Sequence, residues 1–295
     1  MEDPEALLAA LLAWAAKDPR VSAVVQTGLR ARGVRVDEFS DLDIELIGPG
    51  WRSLAEDDSW FRALGDVLVI LPFESDGSVD ADPSWPTRLV VYRGGRKIDF
   101  TLASEEHISR MLMSTLDPLY GRGFVVHYDQ TGLLEQLPAS ESPLPPVPEP
   151  SEAVFQRTVT EFWFEATQVP VYVARDDLWV AQFRQTTMRE MLLSVLEWFA
   201  QTGPGHPRDT WHIGRHMKEW LPQAQWDQVT RIFCALDAEA MTAAHEVMLS
   251  LFETTSREVA QRLGFAYDGQ IADRIRGVIQ GVQQAADGSV AEVGE

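Results

Sequence analysis

Six prolines crowd the thirteen residues Pro138–Pro150, PASESPLPPVPEP. No helix or central strand runs through such a segment, because each proline lacks an amide donor and fixes its own φ. The stretch reads as an extended, fairly stiff connector with no catalytic signal in it. It divides the 295 residues into a domain over 1–137, a linker over 138–150 and a domain over 151–295, a length that suits two domains of ordinary size.

The two sides of the connector carry different periodicities. Before it come short β-rich runs at Val21–Gln26, Leu42–Ile47, Val67–Leu71, Leu89–Tyr92, Lys97–Leu102 and Phe124–Tyr128, each bounded by Gly, Pro, Asp or Ser. Ser53–Leu64 and Ser104–Leu112 between them have helical spacing, which gives an α/β arrangement in this half. Gly94-Gly95 predicts a tight hairpin, so the sheet is mixed. After the connector, Phe155–Val169, Asp177–Gln201, Gln225–Leu263 (broken near Leu236-Asp237) and Ile271–Ala286 read as helices. Gly203-Pro204-Gly205 and His206-Pro207 are breakers, and Asp287–Glu295 reads as a frayed tail. The fold class is α+β, a mixed-sheet domain followed by an α-helical bundle.

Ala6–Ala16 is apolar, but Glu2, Asp3 and Glu5 stand where a secretory signal needs positive charge, and the run is too short to span a bilayer. It predicts a buried helix opened by Asp3-Pro4 and ended near Asp18-Pro19. The lone Cys234, in an apolar context, excludes a disulfide within the chain or a cysteine-based zinc site and reads as a buried small hydrophobe. A cytoplasmic protein is expected, a monomer or weak dimer with no membrane partner. The net charge of −20 repels phosphate backbones, so nucleic acid is not an expected partner. It either attracts a cationic small molecule or serves solubility alone.

Ser40-Asp41-Leu42-Asp43-Ile44 carries the chemistry. On a strand, Asp41, Asp43 and Glu45 share one face while Leu42 and Ile44 enter a core. Paired carboxylates on a rigid strand hold Mg²⁺, which travels with phosphates; a solvated outer face has the same pattern, and Glu45 reads as merely solvated. Asp99 shares a face with Thr101 in Lys97–Leu102. If that strand lies beside the first, three carboxylates converge, and a cation must compensate them; otherwise Asp99 is a surface residue. Gly28, upstream of the acidic strand, lets the backbone approach phosphates. Arg30 reads as a phosphate ligand, while Arg32 and Arg35 either join it or pair with Asp37 and Glu38. This is the kit of metal-dependent transfer from a nucleotide, in which positioning and charge neutralisation carry the rate.

The tryptophans Trp163, Trp179, Trp198 and Trp220 read as helix core. His212 and His216, four residues apart, lie too close to Arg215 and Lys218 to favour a zinc ion.

On these residues the N-terminal half resembles the DNA polymerase β-type nucleotidyltransferases, with a turn, a D-x-D strand and a later third Asp. More closely, the chain resembles the aminoglycoside 6-adenylyltransferase (streptomycin adenylyltransferase) family. Matching pieces are Asp37–Ile44, Ser59-Trp60-Phe61 with Gly65, Arg96–Leu102, Glu161-Phe162-Trp163, Tyr172–Arg175 with Leu178-Trp179, Met191-Leu192 with Trp198, and Leu263-Gly264-Phe265 with Tyr267. The resemblance implies transfer of AMP from ATP to a hydroxyl of a streptomycin-like aminoglycoside, with Mg²⁺ on Asp41, Asp43 and Asp99, and Asp99 as third ligand or base. It implies that the helical half closes the site. Lys218 then stands near the nucleotide, or is an exposed helix lysine. Glu161 and Glu165, one turn apart, meet the cationic substrate, or are solvated. The family's Gly-Ser-Arg turn reads Gly28-Leu29-Arg30 here. Leu29 forgoes a hydrogen bond to phosphate of about 1.5–3 kcal/mol, and the Thr27 side chain is expected to face another way. Two further readings are a non-catalytic nucleotide or cationic-ligand binder that kept the fold, and a nucleotidyltransferase with another hydroxyl acceptor.

Overall fold

The computed structural model describes residues 3–73, 85–140, 149–205 and 208–293. The chain forms two compact units, residues 1–146 and 147–295. Their boundary falls within the proline-rich segment, of which residues 141–148 lie outside the described residues, as does His206-Pro207.

The first unit comprises α1 (Pro4–Ala15), β1 (Ala23–Thr27), α2 (Gly28–Arg32), β2 (Leu42–Ile47), α3 (Trp51–Glu56), β3 (Val67–Phe73), β4 (Thr87–Tyr92), β5 (Lys97–Ala103), α4 (Glu105–Met113), α5 (Pro118–Arg122) and β6 (Val125–Asp129). The six strands form one mixed sheet in the order β3-β4-β5-β2-β1-β6. Only β2 and β5 run parallel; the other neighbours are antiparallel. Gly94 and Gly95, both with φ near +87°, make the β4–β5 turn that a side chain would strain.

Alternation decides what each face meets. Leu42, Ile44 and Leu46 of β2 join Ile98, Phe100 and Leu102 of β5 in a core covered by Leu7, Leu8 and Leu11 of α1. Asp3 caps α1, its carboxylate accepting from the Glu5 amide, and Pro4 occupies the first turn. Trp60 stacks on Trp14 with centroids 4.8 Å apart. On the opposite face, Ala23, Val25, Ile47 and Ala103 pack with Ile108, Met111 and Tyr120 of α4 and α5. That second layer covers one end of the face and leaves the other end, with Asp41, Asp43 and Asp99, part-exposed.

The second unit comprises α6 (Glu152–Ala174), α7 (Leu178–Thr202), α8 (Met217–Trp220), α9 (Gln223–Val229), α10 (Ala238–Leu263) and α11 (Ile271–Val293). Asp237 caps α10 and Gly264, at φ +72°, ends it. Phe162 and Phe252 stack with centroids 3.5 Å apart at its centre. No described helix is long and apolar enough to cross a membrane.

Four expectations need correcting. Helix α11 continues to Val293, through most of the segment read as a frayed tail. Trp163 and Trp220 are buried, but Trp179 is 79% exposed, because it stands on the outer side of the first turn of α7. Cys234 is only half-buried, with its Sγ 3.9 Å from Gln185 Oε1. Glu45 is 6% exposed rather than solvated; the Tyr120 hydroxyl donates to its Oε2 at 2.7 Å.

His245, on α10, is 2% exposed with Nε2 unpartnered, and burial pushes its pKa down to about 4. The unfolded chain takes up this proton near pH 6.5, so the stability tied to neutral His245 is full above that pH and falls as the pH drops to about 4. The loss is roughly 3 kcal/mol. In urea titrations across this window, the stability of the parent protein should fall relative to His245→Leu by that amount. Parallel pH profiles would refute the assignment.

Candidate active site

The parallel register sets Asp43 opposite Asp99, and Leu42 opposite Ile98. Asp41 lies two residues before Asp43 and therefore shares its face. One carboxylate oxygen from each of Asp41, Asp43 and Asp99 lies within 4.8 Å of the other two, and this is the one such group of possible metal ligands among the described residues. At that separation each pair of like charges repels by roughly 3 kcal/mol at an effective dielectric of about 20. Burial raises the Asp99 carboxyl above the usual carboxylate range; Lys97 works against that, and the charge of Asp41 adds to it.

Two features around the carboxylates are local consequences of the fold. At Gly28 the backbone has φ +72°, and a Cβ there would lie 1.9 Å from Asp43 Oδ2. Asp43 occupies the space that any side chain at position 28 would need. The turn before Asp41 is clasped by two arginines. Arg30 donates through Nε to the Ser40 carbonyl (3.0 Å) and through Nη2 to the Asp37 carbonyl (3.2 Å). Buried Arg96 donates to the carbonyls of Glu38 (3.1 Å) and Ser40 (2.9 Å). Inside the turn, the Ser40 hydroxyl donates to Asp37 Oδ1 at 2.8 Å, and this bond leads in holding the Asp37 carboxyl below its ordinary pKa.

Lys97 stands on the same face of β5 as Asp99. Its Nζ lies 2.8 Å from Asp99 Oδ2 and 3.1 Å from Asp41 Oδ2. Burial works against its charge, but the hydrogen bond and charge of Asp99, with those of Asp41, outweigh burial and raise its pKa. Both partners of this pair shift upward because Asp99 is the deeper one and its desolvation outweighs the help it receives from the ammonium.

Thr27 pairs with Asp43 across β1–β2. Directly opposed residues in an antiparallel pair project to the same side, so Thr27, expected to face another way, is on the side of the carboxylates. Residue order shows that Thr27, Lys97 and Arg96 lie near the motifs, but only the strand register shows that the first two face the carboxylates. Deeper under the same face, His107 Nε2 is 2.9 Å from Asp117 and 3.8 Å from Glu45. Burial, followed by the charge of Glu45, raises the Tyr120 hydroxyl well above its ordinary pKa, so it remains a donor.

The other sequence candidates belong to the helical unit. Glu161 is exposed on α6; Glu165, one turn on, is buried and ion-paired with Arg184 at 3.1 Å. Lys218, exposed on α8, holds its ammonium 5.1 Å from the Trp226 ring centroid. Both border a cavity of about 610 Å³, lined mainly by apolar side chains such as Leu192, Leu196 and Val229. His212 and His216 are exposed.

A divalent cation fits the three carboxylates. The donors are all hard oxygens, as Mg²⁺ requires, and Asp99 Oδ1 is buried with no hydrogen-bond partner. Ligand oxygens around Mg²⁺ stand about 3–4 Å apart, so the side chains need to close by only a fraction of their present spacing.

Comparison with known proteins gives concordant findings. Residues 1–282 match the family described as Streptomycin adenylyltransferase. An Aminoglycoside 6-adenylyltransferase of Campylobacter jejuni is 24% identical over 259 residues, which is 87% of this chain and 88% of that protein. One of Bacillus subtilis (strain 168) is 21% identical over 273 residues, covering 90% and 93%. Among solved structures, an aminoglycoside 6-adenyltransferase from Bacillus subtilis covers 96% of this chain and 99% of its own, with TM-score 0.46 and 18% identity. A nucleotidyltransferase-like protein from Exiguobacterium sibiricum 255-15 covers 88% and 78%, with TM-score 0.35 and 10% identity.

Gly28→Ala should combine backbone strain of about 1–3 kcal/mol with displacement of the Asp43 carboxylate. The expected outcome is a lower melting temperature and loss of stabilisation by added Mg²⁺, both read by calorimetry. An alanine variant that Mg²⁺ still stabilises as it does the parent would show that the Gly28–Asp43 approach is dispensable.

Proposed function

Because the chain belongs to the streptomycin adenylyltransferase family, we propose that it transfers AMP from ATP to a hydroxyl of a streptomycin-like aminoglycoside in the cytoplasm. The carboxylates of Asp41, Asp43 and Asp99 would hold Mg²⁺. The acceptor oxygen forms a bond to the α-phosphorus, the bond from that phosphorus to the β-phosphate bridging oxygen breaks, and pyrophosphate leaves. When bound, the metal neutralises triphosphate charge and stabilises the developing alkoxide. The observation that carries this reading is the convergence of three carboxylates from two parallel strands within 4.8 Å.

The chain's own residues take the remaining roles. Asp99 Oδ1, buried and unpartnered, is the oxygen that would accept the hydroxyl proton. Gly28 would let the backbone at the start of α2 approach the phosphates, where the first amides of a helix lack internal partners. Arg30, with Nε and Nη2 committed to the turn, would meet phosphate through Nη1 while keeping Asp41 in place. Thr27 would supply the hydroxyl that Leu29 cannot. Lys218 is assigned to the nucleotide on the family resemblance alone. Glu161 and Glu165 would receive the cationic drug; Glu161 offers an exposed charge, whereas Glu165 must exchange Arg184 for a substrate ammonium.

Incubation with ATP, Mg²⁺ and streptomycin should release pyrophosphate and yield a product heavier than the drug by one AMP moiety. Binding of ATP without turnover on any aminoglycoside would leave a nucleotide-binding protein in place of the enzyme. Asp43→Asn and Asp99→Asn should each lower kcat by at least about a hundredfold. Thr27→Val should raise the KM for ATP about tenfold, the worth of one hydrogen bond to a charged group, and Leu29→Ser should lower it by a similar factor. A Thr27→Val enzyme with unchanged KM would remove the threonine from the phosphate site.

A further inference from the structure

Lys97 sits among the carboxylates that a divalent cation would use. Its ammonium contacts Asp99 Oδ2 at 2.8 Å and Asp41 Oδ2 at 3.1 Å, and so bridges those two carboxylates. Asp43 is held separately, against Gly28. The arrangement is a built one: Lys97 and Asp99 share a face two residues apart, and the parallel register brings Asp41 alongside.

The chemistry of the pair makes the contact exclusive. An ammonium keeps carboxylate oxygens near 3 Å, whereas Mg²⁺ draws them to about 2.1 Å. A divalent cation held by the same carboxylates would stand in direct repulsion with the ammonium. A lysine suits a contact that must be given up, because it is a single point charge on a flexible four-carbon stem rather than a planar fork. The Lys97 side chain is also 39% exposed, so its ammonium has a way out toward solvent or an arriving anion.

We propose that Lys97 is a resident counter-cation: it holds Asp41 and Asp99 together in the metal-free enzyme and is displaced from them when a divalent cation binds. Displacement releases a positive charge on the face where a triphosphate would arrive. Metal alone therefore binds weakly, opposed by the ammonium, while metal with nucleotide binds strongly because the released Lys97 gains a phosphate partner. This rests on the reading of the three carboxylates as a metal site, and it concerns how that site is kept assembled and filled.

The test uses the full-length protein and its Lys97→Met, Lys97→Gln and Lys97→Arg variants, titrated with Mn²⁺ and Mg²⁺ by calorimetry and melted with EDTA or with Mg²⁺. Lys97→Met and Lys97→Gln should melt several degrees lower in EDTA, show a larger stabilisation by Mg²⁺ and bind Mn²⁺ at least tenfold more tightly. Lys97→Arg should restore the EDTA melting temperature and the weak Mn²⁺ affinity. Two variants without charge ensure that poor folding of one leaves the other to read. Equal Mn²⁺ affinity in the parent and the neutral variants overturns the placeholder role and leaves the metal-dependent transferase standing. Absence of metal binding in all four proteins overturns both. Tighter metal binding in the neutral variants, with no turnover on any aminoglycoside, supports the placeholder and overturns the substrate reading alone.

Discussion

The parallel pairing of β2 with β5 is the constraint on which the first unit depends. It is the only parallel contact in the sheet, and it sets residues distant in sequence side by side without a shift. Alternation then does two things at once. It sends Leu42, Ile44, Ile98 and Phe100 into one core, and it leaves Asp43 opposite Asp99 on the other face. A slip of one residue in either strand would turn its carboxylate into that core. The apolar burial that stabilises the sheet therefore also fixes the spacing of the charges.

Those charges need more than register. Asp43 is located by the absence of a side chain at Gly28. Asp41 is located by the turn before it, which Arg30 and Arg96 hold through backbone carbonyls. The buried layer of Glu45, Tyr120 and His107 under the same face supplies a polar floor. In it the Tyr120 hydroxyl donates to Glu45 Oε2, and His107 Nε2 lies 3.8 Å from Glu45.

Much of this was legible in the residues. Strand alternation is a local rule, so the common face of Asp41 and Asp43, the hairpin at Gly94-Gly95 and the six strands all follow from short windows. What a face meets is not local. Glu45 has the same phase as Asp43, yet Tyr120, 75 positions away, covers it. The difference is set by where α4 and α5 end, which alternation does not record. The side of Thr27 escapes the sequence for a related reason: its orientation depends on cross-strand pairing with Asp43, not on its place before the Gly28 turn. The short helices α2, α5 and α8, of five, five and four residues, have no full period to read. Trp179, read as helix core, likewise stands on the outer side of the first turn of α7, while Ala181 of the same turn is buried.

The proposed reaction asks one acidic chain to hold a triphosphate and a polycation together. A net charge of −20 favours the second and opposes the first at long range. Screening shortens that opposition to about 8–10 Å in physiological salt, so the nearest groups decide. Near the carboxylates those groups are basic. Arg30 and Arg96 clasp the turn, and Lys97 lies between Asp41 and Asp99. The arginines keep their charge while they donate to carbonyls of the turn, so they contribute positive potential beside the site. Lys97 competes for the metal ligands, and it alone of the three can leave. Arg30, Arg96 and Lys97 thus set positive charge beside the carboxylates of a chain that is acidic as a whole, which lets a cationic acceptor be drawn to the protein without closing the site to a nucleotide.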